Sequence, residues 1–320
     1  MSMTNFAYKI DIGVVPRVSL GQDGLIYLTG GTNGTLKLYS DRLFQADVDR
    51  DGWIALVAAR SAFFAEQNIP WRFVLSTEKL SIYGDDELAR QLAEPVTSPG
   101  QAFKSVIQDD AVLYPRDLLR AEIAQNVYVK TDSHWSPVGA FLVFQEMMRS
   151  VGLSLDWGRY TAMPDGRLTY HGDLWSADYG DVGPDVFLRR KIDPAIRTVY
   201  KNPIVGLSEA RGGRVGLHVG SHLIWRNPTA EVKKNVILFG SSFSESRLEC
   251  TLLSYLFALY FEEVHFIWST SLDKSYITRT RPDYVFVEMP ERFVRQVPAD
   301  DLSIERFGAA EAEKWLMANP

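Results

Sequence analysis

The sequence lacks the features that mark several large classes of protein. It contains one cysteine, Cys250, among 320 residues, so no intramolecular disulfide can form and a zinc site built on cysteines is excluded. Basic residues are outnumbered, with 34 Lys and Arg against 40 Asp and Glu and a formal net charge of −6. No nucleic-acid partner is therefore expected, because contact with phosphates needs a cationic surface.

Long apolar segments are also missing. The longest apolar run, near residues 252–261, is far shorter than the roughly 20 residues that a membrane span requires. Residues 1–18 mix polar and apolar side chains and contain no continuous apolar stretch, so no signal peptide is expected. The sequence as given therefore predicts a protein without a membrane span that is located in the cytoplasm.

What remains is the composition of an ordinary globular protein. Hydrophobic residues make up 46% of the chain and charged residues 23%, which is enough apolar surface for a sizeable core and excludes general disorder. The length allows one large domain or two smaller ones. We find no internal repeat and no low-complexity segment, and we interpret residues 1–320 as one domain.

Hydrophobic periodicity predicts strands that alternate with helices. The helix over residues 51–67 is expected to use Asp51 as its N-cap, and the helix over 138–149 is expected to begin with Ser136 as N-cap and Pro137 in its first turn. Such alternation indicates an α/β fold with a mainly parallel central sheet. The remaining predicted helices cover residues 116–125 and 246–261, and the predicted strands cover residues 25–28, 71–75, 126–130, 235–239, 264–268 and 284–288.

Residues 151–232 differ in character from the rest of the chain. Gly, Pro, Asp and Arg are frequent there, helical periodicity disappears, and residues 214–225 have the composition of a strand. We interpret this segment as a β-rich insertion or as an elaborated loop region within the domain.

A serine-rich turn follows the strand at residues 236–239. The strand ends at Gly240, and Ser241, Ser242 and Ser244 follow before the predicted helix. A nucleophilic serine is presented in such a strand–turn–helix arrangement, where backbone N–H groups and the helix dipole can stabilise an oxyanion. The alternative is that these serines only cap the helix, which is a common role of serine.

A second polar motif, Thr131-Asp132-Ser133-His134-Trp135, follows the predicted strand at 126–130. Asp132 and His134 are suited to act as a base and the carboxylate that orients it, although a core histidine beside a turn-forming aspartate is the alternative. Active sites of α/β sheets lie at the carboxyl ends of the strands. Because both motifs fall there, the pair favours a Ser–His–Asp triad.

Four segments together resemble the SGNH-like alginate O-acetyltransferases, bacterial proteins that acetylate exopolysaccharides. They are TDSHWSPVGA at residues 131–140, GSSFS at 240–244, PDYVFVEMPER at 282–292 and GQDGLIYLTG at 21–30. The resemblance implies an SGNH-hydrolase-like three-layer sandwich. It also implies a circularly permuted motif order, because the Asp-x-His pair precedes the Gly-x-Ser motif.

The resemblance assigns roles to individual residues. Ser242 corresponds to the nucleophile, His134 to the general base and Asp132 to the carboxylate that orients the base. Four further residues are weaker candidates for oxyanion or substrate contacts, and for each of them an ordinary structural role is the alternative. These candidates are Gly31, Asn33, Trp135 and Tyr170.

The expected activity is acetyl transfer to carbohydrate hydroxyls through a serine acetyl-enzyme. An acetyl or carbohydrate esterase with the same triad is the first alternative, and a non-catalytic polysaccharide-binding or scaffold protein is the second. The expected partners are a carbohydrate acceptor, an acetyl donor and other polysaccharide-biosynthesis proteins; no cofactor and no metal are expected. The resemblance also makes the periplasm the alternative location, if a leader has been removed.

Overall fold

The computed structural model describes residues 8–10, 13–15, 17–21, 24–31, 34–40, 48–92, 96–213 and 215–319. The helices in this part of the chain are α1 Arg50–Gln67, α2 Lys79–Tyr83, α3 Asp85–Gln91, α4 Pro99–Val106, α5 Arg116–Ala121, α6 Pro137–Ser150, α7 Gly158–Thr161, α8 Pro203–Ala210, α9 Leu253–Tyr260, α10 Lys274–Thr280 and α11 Ile304–Ala318. The strands are β1 Tyr8–Ile10, β2 Gly13–Val15, β3 Val18–Leu20, β4 Ile26–Leu28, β5 Trp71–Ser76, β6 Val112–Leu113, β7 Pro164–Tyr170, β8 Asp185–Arg190, β9 Arg197–Lys201, β10 His222–Arg226, β11 Val232–Gly240, β12 Phe261–Trp268 and β13 Tyr284–Pro290.

A seven-stranded sheet forms the centre of the molecule, with the strand order β6-β5-β13-β11-β12-β10-β9. The first five strands in this order are parallel to their neighbours, whereas β10 and β9 pair antiparallel at one edge. The predicted α/β class with a mainly parallel sheet is therefore confirmed. Residues 236–240 of the central strand β11 are all buried, as expected for a parallel strand covered on both faces.

Two hydrophobic cores lie on opposite faces of this sheet. Alternate residues of β11 point to opposite sides, so Val236 and Leu238 join one core while Ile237 and Phe239 join the other. Helices α6 and α9 cover the first face, and α1, α4 and α10 cover the second. No helix among the described residues is long and apolar enough to cross a membrane.

The start of helix α6 follows the expectation from sequence. The Ser136 side chain accepts a hydrogen bond from the Gly139 N–H, and Pro137 occupies the first turn, where its missing N–H leaves no helical bond unmade. This N-cap is important for the site because it fixes the direction in which the chain enters α6 directly after His134.

Two other helices differ from the prediction at one end. Asp49 rather than Asp51 caps α1, because the Asp49 carboxylate accepts from the Gly52 N–H and Asp51 lies within the first helical turn. Helix α5 begins at Arg116, as predicted, but ends at Ala121 instead of residue 125. A separate 3-10 turn, Ile123–Gln125, follows it.

The strand predicted at residues 126–130 is absent from the central sheet. This segment makes only an isolated bridge between Tyr128 and Trp135. The Ser136 N–H donates to the Val127 carbonyl, and the Val129 N–H donates to the His134 carbonyl. The apolar side chains that suggested a strand are buried, but their backbone pairs with the following loop instead of the sheet.

The helix predicted over residues 246–261 begins later, at Leu253. Residues 241–252 form a series of turns, and Glu245 has a φ of 50°, which is incompatible with a right-handed helix. Ser242 therefore does not lie at the N-terminus of a helix. The helix dipole expected to assist the serine is not available to it.

The segment 151–232 contains four strands. β7 and β8 form a separate antiparallel hairpin, and β9 and β10 extend the central sheet beyond β12. The strand character predicted for residues 214–225 is realised only from His222 onward. The segment thus contributes a separate hairpin and two strands at one edge of the central sheet.

Candidate active site

The structure brings Ser242, His134 and Asp132 together beside the carboxyl end of β11. His134 Nε2 lies 2.7 Å from Ser242 Oγ, and His134 Nδ1 lies 2.6 Å from Asp132 Oδ1. The backbone N–H of His134 donates to the same Asp132 oxygen at 2.9 Å. Asp132, His134 and Ser242 thus form the hydrogen-bonded chain that general-base activation of a serine needs.

Charge and burial influence the two ionisable groups in opposite ways. Burial raises the pKa of the Asp132 carboxyl, but the hydrogen bond and charge of His134 outweigh it and hold that pKa well below its usual range. Burial lowers the pKa of the His134 imidazole, but the hydrogen bond and charge of Asp132 outweigh it and raise that pKa. The arrangement thus stabilises an imidazolium next to a carboxylate, which is the state formed after a proton leaves Ser242.

Asp173 is a second acidic residue at the site, and the sequence indicated no contact between it and Asp132. Its carboxylate accepts from the Ser133 N–H at 2.6 Å and from Ser133 Oγ at 2.8 Å. Its own N–H donates to Asp132 Oδ2 at 3.2 Å. Since 41 residues separate Asp173 from Asp132, no local motif could have indicated this contact.

The β7–β8 hairpin supports the loop that carries Asp132 in two further ways. Asp185 accepts from the N–H of Lys130 at 2.8 Å and from Thr131 Oγ1 at 2.7 Å. Gly172 packs so closely on Asp132 that a methyl group at Gly172 would overlap its Cβ, Cα and N atoms. The sequence did not indicate either contact, because the partners are distant along the chain.

One ligand atom each of Asp132, His134 and Asp173 lies within 4.8 Å of the others, a spacing that a metal ion could bridge. Both ring nitrogens of His134 are, however, engaged with Asp132 and Ser242. A metal bound to His134 would have to replace one of these hydrogen bonds. The donor set therefore fits the serine arrangement better than a metal centre.

The serine turn is held by a buried carboxylate. Ser241 and Ser244 donate hydrogen bonds to Glu288 on β13, so their side chains bind Glu288 instead of capping a helix. Within the described part of the chain, the Ser242 N–H donates to no acceptor. An N–H that is free and adjacent to the nucleophile is the kind of donor that an oxyanion requires.

A cavity of about 260 Å³ opens at the three residues. Tyr170, at the end of β7, contributes to its wall together with Leu168, Glu245 and Leu252, so the structure places this weaker candidate at the site. Trp135, another of the weaker candidates, also lines this cavity, although its side chain is almost fully buried and its indole N–H donates to the Thr251 carbonyl at 3.0 Å.

The two candidates in the glycine-rich turn are not joined to the site by the described contacts. Gly31 has a φ of 78° and its carbonyl accepts from the Gly34 N–H at 3.1 Å, as in a plain turn. No hydrogen bond among the described residues links Gly31 to Ser242. Asn33 lies outside the described residues.

The sequence matches no known family model and no curated relative. Solved structures with the same fold exist, however, at low sequence identity. PatB1 of Bacillus cereus, determined with a sulfonyl adduct, is 13% identical with a TM-score of 0.55, and the match covers 94% of this chain and 98% of that one. The O-acetyltransferase domain of Pseudomonas putida AlgJ is 15% identical with a TM-score of 0.52, covering 94% and 100%.

A DHHW family protein from Eubacterium siraeum is also similar, with 13% identity and a TM-score of 0.60 over 91% of this chain and 94% of that one. These matches span nearly the whole length of both partners in each comparison. The predicted resemblance to the SGNH-like alginate O-acetyltransferases is thus confirmed at the level of the fold.

Proposed function

We propose that this protein is a carbohydrate O-acetyltransferase that works through an acetyl-enzyme on Ser242. The observation that carries the proposal is the 2.7 Å contact between Ser242 Oγ and His134 Nε2, with His134 held by Asp132 on its other nitrogen. A serine hydroxyl is a weak nucleophile until a base accepts its proton. His134 is the group placed to accept it.

The proposed reaction has two steps. In the first, His134 takes the proton of Ser242, Oγ attacks the carbonyl carbon of an acetyl donor, and the leaving group departs with the proton that His134 returns. In the second, His134 takes the proton of a sugar hydroxyl, whose oxygen attacks the acetyl carbon. The bond from the acetyl carbon to Ser242 Oγ then breaks, and His134 returns the proton to that oxygen.

Each step passes through a tetrahedral oxyanion that needs hydrogen-bond donors. The Ser242 N–H is one proposed donor, since it has no acceptor within the described residues. We propose Gly31 and Asn33 as further donors to the oxyanion.

Two of the structural neighbours support an acyl transfer of this kind. The Pseudomonas domain is described as an O-acetyltransferase and is covered over its full length by the match. The Bacillus protein was obtained with a sulfonyl adduct, and sulfonyl reagents are attacked by activated nucleophiles. The acceptor class, a glycan hydroxyl, is proposed from the sequence resemblance.

The proposal is tested by intact mass after incubation with a chromogenic acetyl ester. We expect one acetyl adduct on the wild type, none on Ser242→Ala and a strongly slowed reaction for His134→Ala. Ser208→Ala, in α8, is the matched control and should be labelled like the wild type.

Candidate oligosaccharides are then added to the acetylated protein. Acetyl groups recovered on sugar support the transferase, whereas acetate released to water alone supports the esterase alternative. If no variant is acetylated and no ester is consumed, the serine mechanism is wrong and the binding or scaffold alternative stands.

A further inference from the structure

A fully buried carboxylate lies beneath the serine turn. Glu288, on β13 between β11 and β5, has no exposed surface. Its oxygens accept from Ser76 Oγ at 2.7 Å, from the Ser241 N–H at 2.9 Å, from Ser241 Oγ at 2.9 Å and from Ser244 Oγ at 3.0 Å. All of these donors are neutral, so several hydrogen bonds compensate for the buried charge in place of a cation.

Three of these four hydrogen bonds come from the turn that contains Ser242. The donors belong to Ser241 and Ser244, the residues that flank Ser242 and Phe243. Burial raises the pKa of Glu288, while the hydrogen bonds from Ser76 and the turn oppose that rise. The carboxylate thus ties both ends of the serine turn to the central sheet.

Other hydrogen bonds also hold the turn: the Ser244 N–H donates to the Ser241 carbonyl at 3.0 Å, and the Leu253 N–H donates to the Phe243 carbonyl at 3.2 Å. A serine at a strand–helix junction is normally held by the first turn of the helix, but α9 begins only at Leu253. The backbone at Gly240 doubles back tightly, because a Cβ there would lie 2.7 Å from Ser244 Oγ. Those contacts lie within the turn or join it to α9, whereas the hydrogen bonds to Glu288 join Ser241 and Ser244 to the central sheet.

We propose that Glu288 is a positioning residue that holds the turn of residues 241–244 so that Ser242 Oγ stays within hydrogen-bond distance of His134 Nε2. This inference rests on the proposed function of Ser242. Glu288 acts through the turn and touches neither His134 nor Asp132 in the described contacts. Its removal should slow the formation of the acetyl-enzyme without weakening substrate binding, because small misplacements of a nucleophile are costly in rate.

Glu291 provides a matched control. It is also fully buried, and its carboxylate accepts from the Glu78 N–H at 2.6 Å, the Gly100 N–H at 2.8 Å and the Tyr114 hydroxyl at 2.8 Å. These partners precede α2, lie in α4 and follow β6, and none of them is hydrogen-bonded to residues 241–244 in the described contacts. Glu291→Gln should therefore reproduce the loss of a buried carboxylate without loosening that turn.

The experiment compares Glu288→Gln, Glu291→Gln and the wild type by melting temperature, kcat, KM and the rate of labelling by a sulfonyl fluoride. We expect kcat and the maximal labelling rate to fall on the order of tenfold in Glu288→Gln, with KM within about twofold of the wild type. Glu291→Gln should lower the melting temperature comparably and keep the wild-type kcat. Equal kcat values for the two variants would overturn the positioning role.

A second pair of variants applies if Glu288→Gln does not fold. Ser244→Ala removes a donor on the turn side of Glu288, and Ser76→Ala removes the donor on the strand side. The proposal expects a reduced kcat for Ser244→Ala alone and is refuted if both retain the wild-type kcat. A wild type that resists sulfonylation would instead refute the proposed function, so the two failures are distinguishable.

Discussion

One oxygen of Asp132 binds His134 twice. Asp132 Oδ1 lies 2.6 Å from the ring nitrogen Nδ1 and also accepts the backbone N–H of His134 at 2.9 Å. The two contacts fix the ring relative to its own backbone and favour the tautomer with the proton on Nδ1. His134 Nε2 is then left as an acceptor that faces Ser242 Oγ.

Asp132→Asn should therefore lower activity strongly, although it changes the size of the side chain very little. The amide can present an NH₂ group to Nδ1, which favours the wrong tautomer, and it removes the charge that stabilises the imidazolium. We expect kcat to fall by about 10³- to 10⁴-fold, measured with the chromogenic ester. Asp301→Asn, at an exposed position, is the control, and a loss below tenfold in Asp132→Asn would contradict the role of Asp132.

The pH dependence should reflect the raised pKa of His134. The base must be neutral to accept a proton, so activity is present above this pKa and is lost as the pH falls through it. The acidic limb of kcat/KM should thus lie above the usual histidine value of about 6.5. A limb at or below that value would contradict the assignment of His134 as the base.

Asp173 should contribute to that limb, because its charge helps to raise the pKa of His134. Asp173→Asn removes the charge and should move the limb to lower pH, by an amount that solvent screening of a partly exposed charge limits. The pH profile of Asp178→Asn, from the same segment, should match the wild type. An upward or absent shift in Asp173→Asn would show that its charge does not reach His134.

Gly172 should tolerate no side chain. A methyl group there would overlap Asp132, so Gly172→Ala should displace the carboxylate and lower kcat on the order of 10²-fold. Gly183→Ala is the control in the same segment, because a Cβ at Gly183 meets no atom within 4 Å. Similar kcat values for the two variants would contradict the close packing of Gly172 on Asp132.

The pair of Arg60 and Asp300 should contribute to stability. Arg60 Nε and Nη2 bind the two oxygens of Asp300 at 2.9 and 2.7 Å, and the side chains are 0% and 2% exposed. Arg60→Met leaves a buried charge without its partner and should lower the free energy of unfolding by about 3 kcal/mol. Urea unfolding checks this value.

An exposed ion pair supplies the comparison. The side chains of Arg279 and Glu305 are 57% and 62% exposed, so Arg279→Met should change the free energy of unfolding by less than about 1 kcal/mol. Equal losses of unfolding free energy in Arg60→Met and Arg279→Met would show that burial does not make the Arg60–Asp300 pair more important for stability.

Local signals in the sequence predicted the parts of the fold that local chemistry determines. Ser136 and Pro137 mark the start of α6 because a capping oxygen and a proline both suit a first helical turn. The buried run at 236–239 marks a central parallel strand because both of its faces are covered. The nearness of His134 and Ser242 was predicted from a strand before each motif, but only the strand before Ser242 belongs to the central sheet.

The remaining features depend on partners that are distant along the chain. Asp173 meets Asp132 across 41 residues, and Glu288 meets Ser241 across 47, so neither contact leaves a periodic or local pattern. Residues 246–252 were predicted to be helical, yet they form turns and the helix begins only at Leu253. In such segments tertiary packing overrides the local preference for a helix or a strand.

The segment 151–232 is not a removable module. Cutting it out would take Asp173 and Asp185 away from the loop of Asp132, and it would also remove β9 and β10 and leave the long strand β12 as an unprotected sheet edge. Exposed edges of this kind pair with other chains and aggregate. A shortened protein should therefore lose the geometry of its site and also aggregate through the exposed edge of β12.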